Sequence, residues 1–197
     1  PEPRPEPPEP GRGTCRLEVD REAAYVVVGH PAPDLADPEY AASQVVAAIL
    51  GGSMDSRLFV ELREKRALAY QVSSLYDDRL DGSILIGYIV TDPARVGEAT
   101  EGLTGEFRRL IDEPVEEEEI ERTRRHLRGR YRIAAETNAA QAARLGSYEC
   151  YALGQDFGDR WLADLDAVTP ESIRIFAARW LSGEPTCAIV TSSGSGS

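Results

Sequence analysis

The chain has 197 residues, of which 42% are hydrophobic and 28% are charged. This is enough apolar material for the core of one globular domain. The formal net charge is −12, and an acidic surface repels nucleic-acid phosphates and anionic membranes, so neither is expected as a partner. Three cysteines without a Cys-x-x-Cys pair argue against a disulfide framework or a structural zinc site and favour buried free thiols.

The two ends of the chain differ in composition from the rest. Residues 1–13 begin with PEPRPEPPEP, and proline fixes φ and lacks an amide hydrogen, so a semi-rigid linker is predicted there. Residues 192–197 contain only serine and glycine and are predicted to be a disordered tail. The domain itself is predicted to span residues 14–191. The sequence leaves the compartment open, since cytoplasm and periplasm both fit it.

The first third of the chain predicts two strands and a helix. Residues 15–19 and 23–29 are rich in β-branched and aromatic side chains, which predicts strands. His30 begins a segment with two prolines and is expected in a loop. Asp37-Pro38 is typical of a helix start, and that helix is predicted to end near Leu50 in a left-handed turn at Gly51-Gly52.

A second helix is predicted from Asp55 or Ser56 to Arg66. The strands that follow, at 68–76 and 83–91, flank Asp81-Gly82, which favours an antiparallel hairpin. Apolar residues at three- to four-residue spacing then predict four more helices, the third over 138–153 and the last starting at Thr169-Pro170, before a final strand at 186–191. The predicted fold is α+β: a single, mostly antiparallel β-sheet with several α-helices packed on one face.

The segment from Leu50 to Ser74 reads LGGSMDSRLFVELREKRALAYQVSS. Taken on its residues alone, it favours a short solvated helix in which Glu61 and Lys65 form an i,i+4 pair worth about 0.3 kcal/mol. In that interpretation Tyr70 is an ordinary strand residue.

This segment resembles the signature of the second half of insulinase-like zinc metallopeptidases, the family of pitrilysin and the mitochondrial processing peptidase. The resemblance rests on Gly51-Gly52, on the runs Ser-Arg-Leu-Phe (56–59) and Leu-Arg-Glu-Lys (62–65), and on Ala-Leu-Ala-Tyr (67–70). The order of the predicted elements from Cys15 to Thr191 agrees with it. Ala67 stands where a glycine is usual, and a positive φ there would strain an alanine by about 1 kcal/mol.

The resemblance implies two homologous halves that face each other across a chamber. One half carries a His-x-x-Glu-His zinc motif, and the other contributes an arginine and a tyrosine to the same site. This chain has only His30 and His126, and neither lies in such a motif. The resemblance therefore implies the half without zinc, with no cofactor of its own and inactive alone. Its partner would be a zinc-binding half on the same polypeptide or on a separate subunit.

The same resemblance assigns roles to four residues. Tyr70 is expected to stabilise the transition state and Arg63 to anchor a peptide substrate. Gly51 and Gly52 are expected to line the substrate path, although a plain helix stop explains them equally well. Two alternatives stay open: a scaffold of the same fold without a catalytic role, and an adaptor that binds extended peptides at a sheet edge.

Overall fold

The computed structural model describes residues 12–192, so the predicted linker and tail lie outside the described residues except at their inner ends. Five strands form one sheet in the order β1-β5-β2-β4-β3. They are β1 (Gly13–Glu18), β2 (Ala24–Pro31), β3 (Gln71–Asp77), β4 (Ile84–Thr91) and β5 (Thr186–Thr191). β1 pairs with β5 in parallel, and the other three pairings are antiparallel.

The helices follow the predicted order with two additions, a 3₁₀ helix and a further α-helix. They are α1 (Tyr40–Gly51), a π-helix (Phe59–Lys65), a short 3₁₀ helix (Pro93–Arg95), α2 (Val96–Asp112), α3 (Glu117–Ile133), α4 (Asn138–Cys150), α5 (Phe157–Ala167) and α6 (Pro170–Trp180). The α+β prediction is confirmed, whereas α5 was not predicted. Within residues 12–192, no helix has the length and apolar character that a membrane span requires.

The helices cover one face of the sheet because its strands alternate in polarity and burial. On β2, Ala24, Val26 and Val28 are fully buried, whereas Tyr25 between them is 49% exposed. Helices α1 and α2 contact the central strands on the buried side. The opposite side, which we call the open face, carries Tyr25, together with Tyr88, which pairs with Val27, and Leu75, which pairs with Ile86.

Three local predictions were wrong. Gly52 follows α1 with φ −78°, so the helix does not end in a left-handed turn. His30 lies within β2 and is 4% exposed, because its ring packs on Phe107 with 5.0 Å between centroids. Cys15 and Cys150 are exposed, and only Cys187 is a buried thiol. The predicted start of α6 is confirmed, since Thr169 and Ser172 form a reciprocal capping box.

Candidate functional site

The segment between α1 and β3 carries both predicted catalytic side chains. It contains the π-helix, a form that occurs mostly as single turns and often at functional sites. Leu58 and Leu62 are fully buried and fix this segment to the core. Arg63 points away from that anchor, with its guanidinium 5.0 Å from the centre of the Phe59 ring. Among the described residues Arg63 forms no ion pair, so its charge is available to another molecule.

A strained turn connects the π-helix to β3. Ala67 has φ 48°, as expected for a position where glycine is usual. The turn is closed by a hydrogen bond from the Leu68 amide to the Leu62 carbonyl at 2.8 Å. Arg95 Nη1 donates to the Ala67 carbonyl oxygen at 2.8 Å and holds the turn from the side of α2. Backbone strain of this kind persists only where surrounding contacts determine it.

Tyr70 follows this turn and immediately precedes β3. Its amide donates to the Val90 carbonyl at 2.9 Å, so its backbone is tied to β4. Its side chain is 66% exposed, and within residues 12–192 its hydroxyl has no hydrogen-bond partner. The interpretation from the residues alone is confirmed in part, because Lys65 Nζ and Glu61 Oε2 do pair at 2.9 Å. Tyr70, however, lies just before β3 and not within it.

A partly buried ion pair fixes the start of the segment to α3. Arg57 donates from Nε and Nη2 to the two carboxylate oxygens of Glu119, at 3.0 and 2.6 Å. A second pair joins Arg122 to Asp55 at 2.6 Å. The two-point geometry sets the orientation of the guanidinium as well as its distance. This is where the structure places Arg57, which belongs to the same signature as Arg63.

Gly51, at the end of α1, packs directly against the backbone of β3. A Cβ at Gly51 would lie 2.1 Å from the Ser74 amide nitrogen, and Ser73 Oγ donates to the Gly51 carbonyl at 2.8 Å. The glycine is therefore required for α1 to approach β3. Gly52 is half-buried and borders the cleft described next. A role of the two glycines in the substrate path stays a prediction.

A cleft of about 520 Å³ lies between α1, the end of β3 and helices α3, α4 and α5. We call it the aromatic cleft, because its walls carry Tyr40, Tyr76, Tyr131, Tyr148, Phe157 and Trp161. Five of the chain's eight tyrosines line it, including Tyr151 at its edge. Sequence reasoning missed this site. The only available signal was the concentration of aromatic residues between positions 131 and 161.

The described residues do not fit a zinc site. Among residues 12–192, no group of three or more His, Cys, Asp and Glu side chains could hold a metal ion. His30 is enclosed beside Phe107, and burial lowers the pKa of its imidazole to about 4. His126 borders a separate cavity of about 210 Å³ with Asp55 and Glu119, whose carboxylates bond to Arg122 and Arg57 instead.

Comparison with known families identifies the class of this domain. The family model described as the peptidase M16 inactive domain matches residues 1–127 of this chain. The chain is 30% identical over 182 residues to an uncharacterized zinc protease of Streptomyces coelicolor, covering 91% of this chain and 40% of the relative. A Bacillus subtilis relative with a similar name is 26% identical over 150 residues, with 76% and 37% covered. The chain therefore belongs to the peptidase M16 inactive domain family, and it spans less than half the length of these relatives.

Solved structures show the same fold. A peptidase M16 inactive domain from Pseudomonas fluorescens superposes with a TM-score of 0.86 at 21% identity, covering 96% of this chain and 46% of that one. An inactive peptidase domain from Bordetella parapertussis gives a TM-score of 0.79 at 17% identity, covering 92% and 97%. The predicted family and the predicted fold are both confirmed.

Proposed function

We propose that this chain is the non-zinc half of a zinc metalloendopeptidase that degrades or processes peptides. Its role is to supply Arg63 and Tyr70, together with one wall of the chamber, to a zinc site held by a homologous half. That half is on the same polypeptide or on a separate subunit. The observation that carries the proposal is that Arg63 and Tyr70 flank one strained turn, and both side chains are exposed and form no ion pair or side-chain hydrogen bond among residues 12–192.

The residues of this chain would act on the substrate carbonyl. Zinc in the other half supplies a Lewis acid and an activated water. Attack on a peptide carbonyl builds negative charge on its oxygen, and a preorganised donor to that oxygen is worth about 3–4 kcal/mol. The Tyr70 hydroxyl is such a donor. Arg63 presents a fixed fork of N–H groups, which suits a substrate carbonyl or carboxylate.

Preorganisation is the reason the local structure supports this role. A donor lowers the barrier only if it need not reorient during the reaction. Three features fix the backbone that carries the two side chains. They are the partly buried Arg57–Glu119 pair, the buried Leu58 and Leu62, and the hydrogen bond from the Tyr70 amide to the Val90 carbonyl. The side chains themselves are exposed and therefore accessible to a substrate.

The open face is proposed as the chamber wall. In the described part of the chain, none of the helices covers it, and Tyr25, Leu17 and Leu75 are 49%, 57% and 52% exposed on it. Exposed apolar side chains in one continuous region mark interaction surfaces. An extended peptide enclosed by such a wall would meet apolar and aromatic contacts, which suits side chains of varied sequence.

The proposal is tested with the complete enzyme, assembled from this chain and its zinc half. Tyr70→Phe and Arg63→Ala are made separately and assayed on a fluorogenic peptide. Tyr70→Phe is expected to lower kcat by roughly 10²–10³-fold, because it removes a donor used in the transition state. Arg63→Ala is expected to raise KM as well, because it removes a substrate contact.

A matched control separates this effect from general damage. Arg108→Ala removes an exposed arginine from α2, away from the proposed site. This variant is expected to keep full activity. If Tyr70→Phe and Arg63→Ala also kept full activity, the catalytic role would be lost and the chain would be a scaffold of the same fold.

A further inference from the structure

The aromatic cleft is not filled by the chain that forms it. Helix α4 forms one wall, yet none of its residues is buried. At the rim, Leu75 is 52% and Tyr151 is 47% exposed. A volume of about 520 Å³ lies within the range of roughly 300–1,000 Å³ that ligand sites occupy. The shape and the aromatic walls suit a flat or bulky apolar group.

Trp161 lines the cleft and carries an unsatisfied hydrogen-bond donor. The residue is 7% exposed, and its buried indole N–H has no acceptor within residues 12–192. A buried donor without a partner is costly, and large aromatic residues with a polar group usually find one. This unsatisfied donor therefore belongs to a residue that lines the cleft.

Two arginines make the cleft selective for an anionic group. Arg130 is exposed, and Arg144 lies over the Tyr131 ring at 4.0 Å while donating to the Tyr131 carbonyl at 3.1 Å. Neither forms an ion pair with any described residue. Asp78 is the one acidic residue lining the cleft, and it accepts a hydrogen bond from the Tyr40 hydroxyl at 2.8 Å. Since the chain carries a net charge of −12, this unpaired positive charge stands out from its surroundings.

The cleft is connected to the proposed catalytic segment through β3. Leu75 borders the cleft and follows Tyr70 by five residues along the same extended segment. At about 3.3 Å per residue, the two positions are separated by roughly 17 Å. An extended peptide therefore needs about five residues to reach from one position to the other.

We propose that the aromatic cleft binds a peptide through an aromatic side chain and an adjacent carboxylate, with a C-terminal aromatic residue as the simplest form. The aromatic side chain packs among Tyr131, Tyr148 and Trp161, and the carboxylate pairs with Arg130 and Arg144. Where the chain acts as a peptidase half, this contact holds the substrate about five residues from the bond presented to Tyr70. This placement of the substrate relative to Tyr70 rests on the proposed function, whereas the binding of the peptide to the cleft does not.

Intrinsic fluorescence tests the binding. The chain has two tryptophans, so Trp180→Phe leaves Trp161 as the only one. This variant is titrated with acetyl-Gly-Gly-Phe as the free acid, with its C-terminal amide, and with acetyl-Gly-Gly-Ala as the free acid. The free acid of the phenylalanine peptide is expected to give a saturable change in Trp161 emission. The other two peptides are each expected to bind about tenfold more weakly or worse, because each lacks one of the two contacts.

Variants in the same background locate the site. Arg130→Gln is expected to weaken binding about tenfold, while Arg132→Gln, an exposed arginine of α3 that does not border the cleft, is expected to leave it unchanged. Ser147→Phe places a bulky side chain in the cleft from exposed α4 and is expected to abolish binding. Circular dichroism checks that each variant is folded.

Each outcome decides the proposal. Equal affinity for the acid and the amide would show that the carboxylate makes no contact. The absence of saturable binding by any of the peptides would show that the cleft is not a peptide site. If added zinc half changed Trp161 emission while the peptides did not, the cleft would be a contact between halves instead. Because binding is measured on this chain without catalysis, loss of the Tyr70 role would leave the result untouched, and the reverse also holds.

Discussion

Arg57 and Glu119 are 62 residues apart in sequence, and the guanidinium of one donates two hydrogen bonds to the carboxylate of the other. Their side chains are only 12% and 18% exposed, so each charge depends on the other. Glu119→Gln is expected to lower the free energy of unfolding by about 3 kcal/mol, because it leaves a nearly buried cation unpaired. Chemical denaturation measures this change.

Two comparison variants test whether the broken ion pair causes the loss of stability in Glu119→Gln. Glu118→Gln, at an exposed position one residue earlier on α3, should change stability by less than about 0.5 kcal/mol. The double variant Arg57→Met with Glu119→Met should recover part of the loss, since neither charge is then left alone. A loss from Glu119→Gln no larger than that of Glu118→Gln would show that the pair does not hold the segment.

The positive φ of Ala67 predicts that glycine stabilises the fold. Ala67→Gly is expected to raise the free energy of unfolding by roughly 1 kcal/mol, because glycine adopts φ 48° without steric cost. Ala152, with φ 55°, should respond in the same direction. Ala142→Gly, inside α4, should cost roughly 1 kcal/mol instead. In thermal denaturation, the alanine-to-glycine substitution should raise stability at position 67 and lower it at position 142.

The close approach of α1 to β3 predicts a large effect at Gly51. Gly51→Ala is expected to destabilise the protein by about 3 kcal/mol or more, because the new Cβ would lie 2.1 Å from backbone nitrogen that cannot easily move. Gly105→Ala serves as the comparison, since a Cβ there meets nothing within 4 Å in α2. That variant should stabilise by up to about 1 kcal/mol. Tolerance of Gly51→Ala would mean that α1 and β3 are farther apart than the structure shows.

Burial of His30 predicts weaker folding in acid. Its pKa is about 4 in the folded chain, against an ordinary value of 6.5, so the unfolded chain takes up the proton first as pH falls. The stabilisation is complete above pH 6.5 and is lost toward pH 4. Between pH 7 and pH 4.5 this single group should reduce the free energy of unfolding by about 2.5 kcal/mol.

The test compares the pH dependence of three proteins. His30→Gln should lack this component of the acid sensitivity, because glutamine does not titrate. His126→Gln keeps His30 and should retain it. Denaturant titrations at the two pH values give the difference directly, and identical pH profiles for the native protein and His30→Gln would contradict the assignment.

The sequence predicted the sheet and most helices because their signals are local. The run Tyr25–Val28 is strongly β-forming, and Thr169-Pro170 marks a helix start whatever surrounds it. Arg63 and Tyr70 are predicted as site residues only through a resemblance, since the residues alone favour a solvated helix and an ordinary strand residue. The same resemblance singled out position 67 as one where a positive φ would strain an alanine, and Ala67 has φ 48°.

The features that were missed depend on distant contacts. The apolar spacing of Leu58 and Leu62 fits an α-helix as well as the π-helix that is present. Helix α5 contains Gly158, and glycine disfavours a helix when only the sequence is considered. In the structure the Tyr131 hydroxyl occupies the space that a Cβ at position 158 would take, so this position accepts only glycine. The aromatic cleft draws its walls from positions 35 to 161, so no single stretch of sequence contains it.

The place of β5 has a consequence for the order of folding. β5 is the last strand in sequence, yet it lies between β1 and β2, and its pairing with β1 joins Gly13 to Thr186. β1 therefore has no neighbour in the sheet until residues 186–191 are in place. During synthesis from the N-terminus, the first strand must wait for almost the whole domain to emerge. A pairing between strands so distant in sequence forms slowly, so the step that completes the sheet should limit the folding rate. Until that step, β2 would remain an unprotected edge strand.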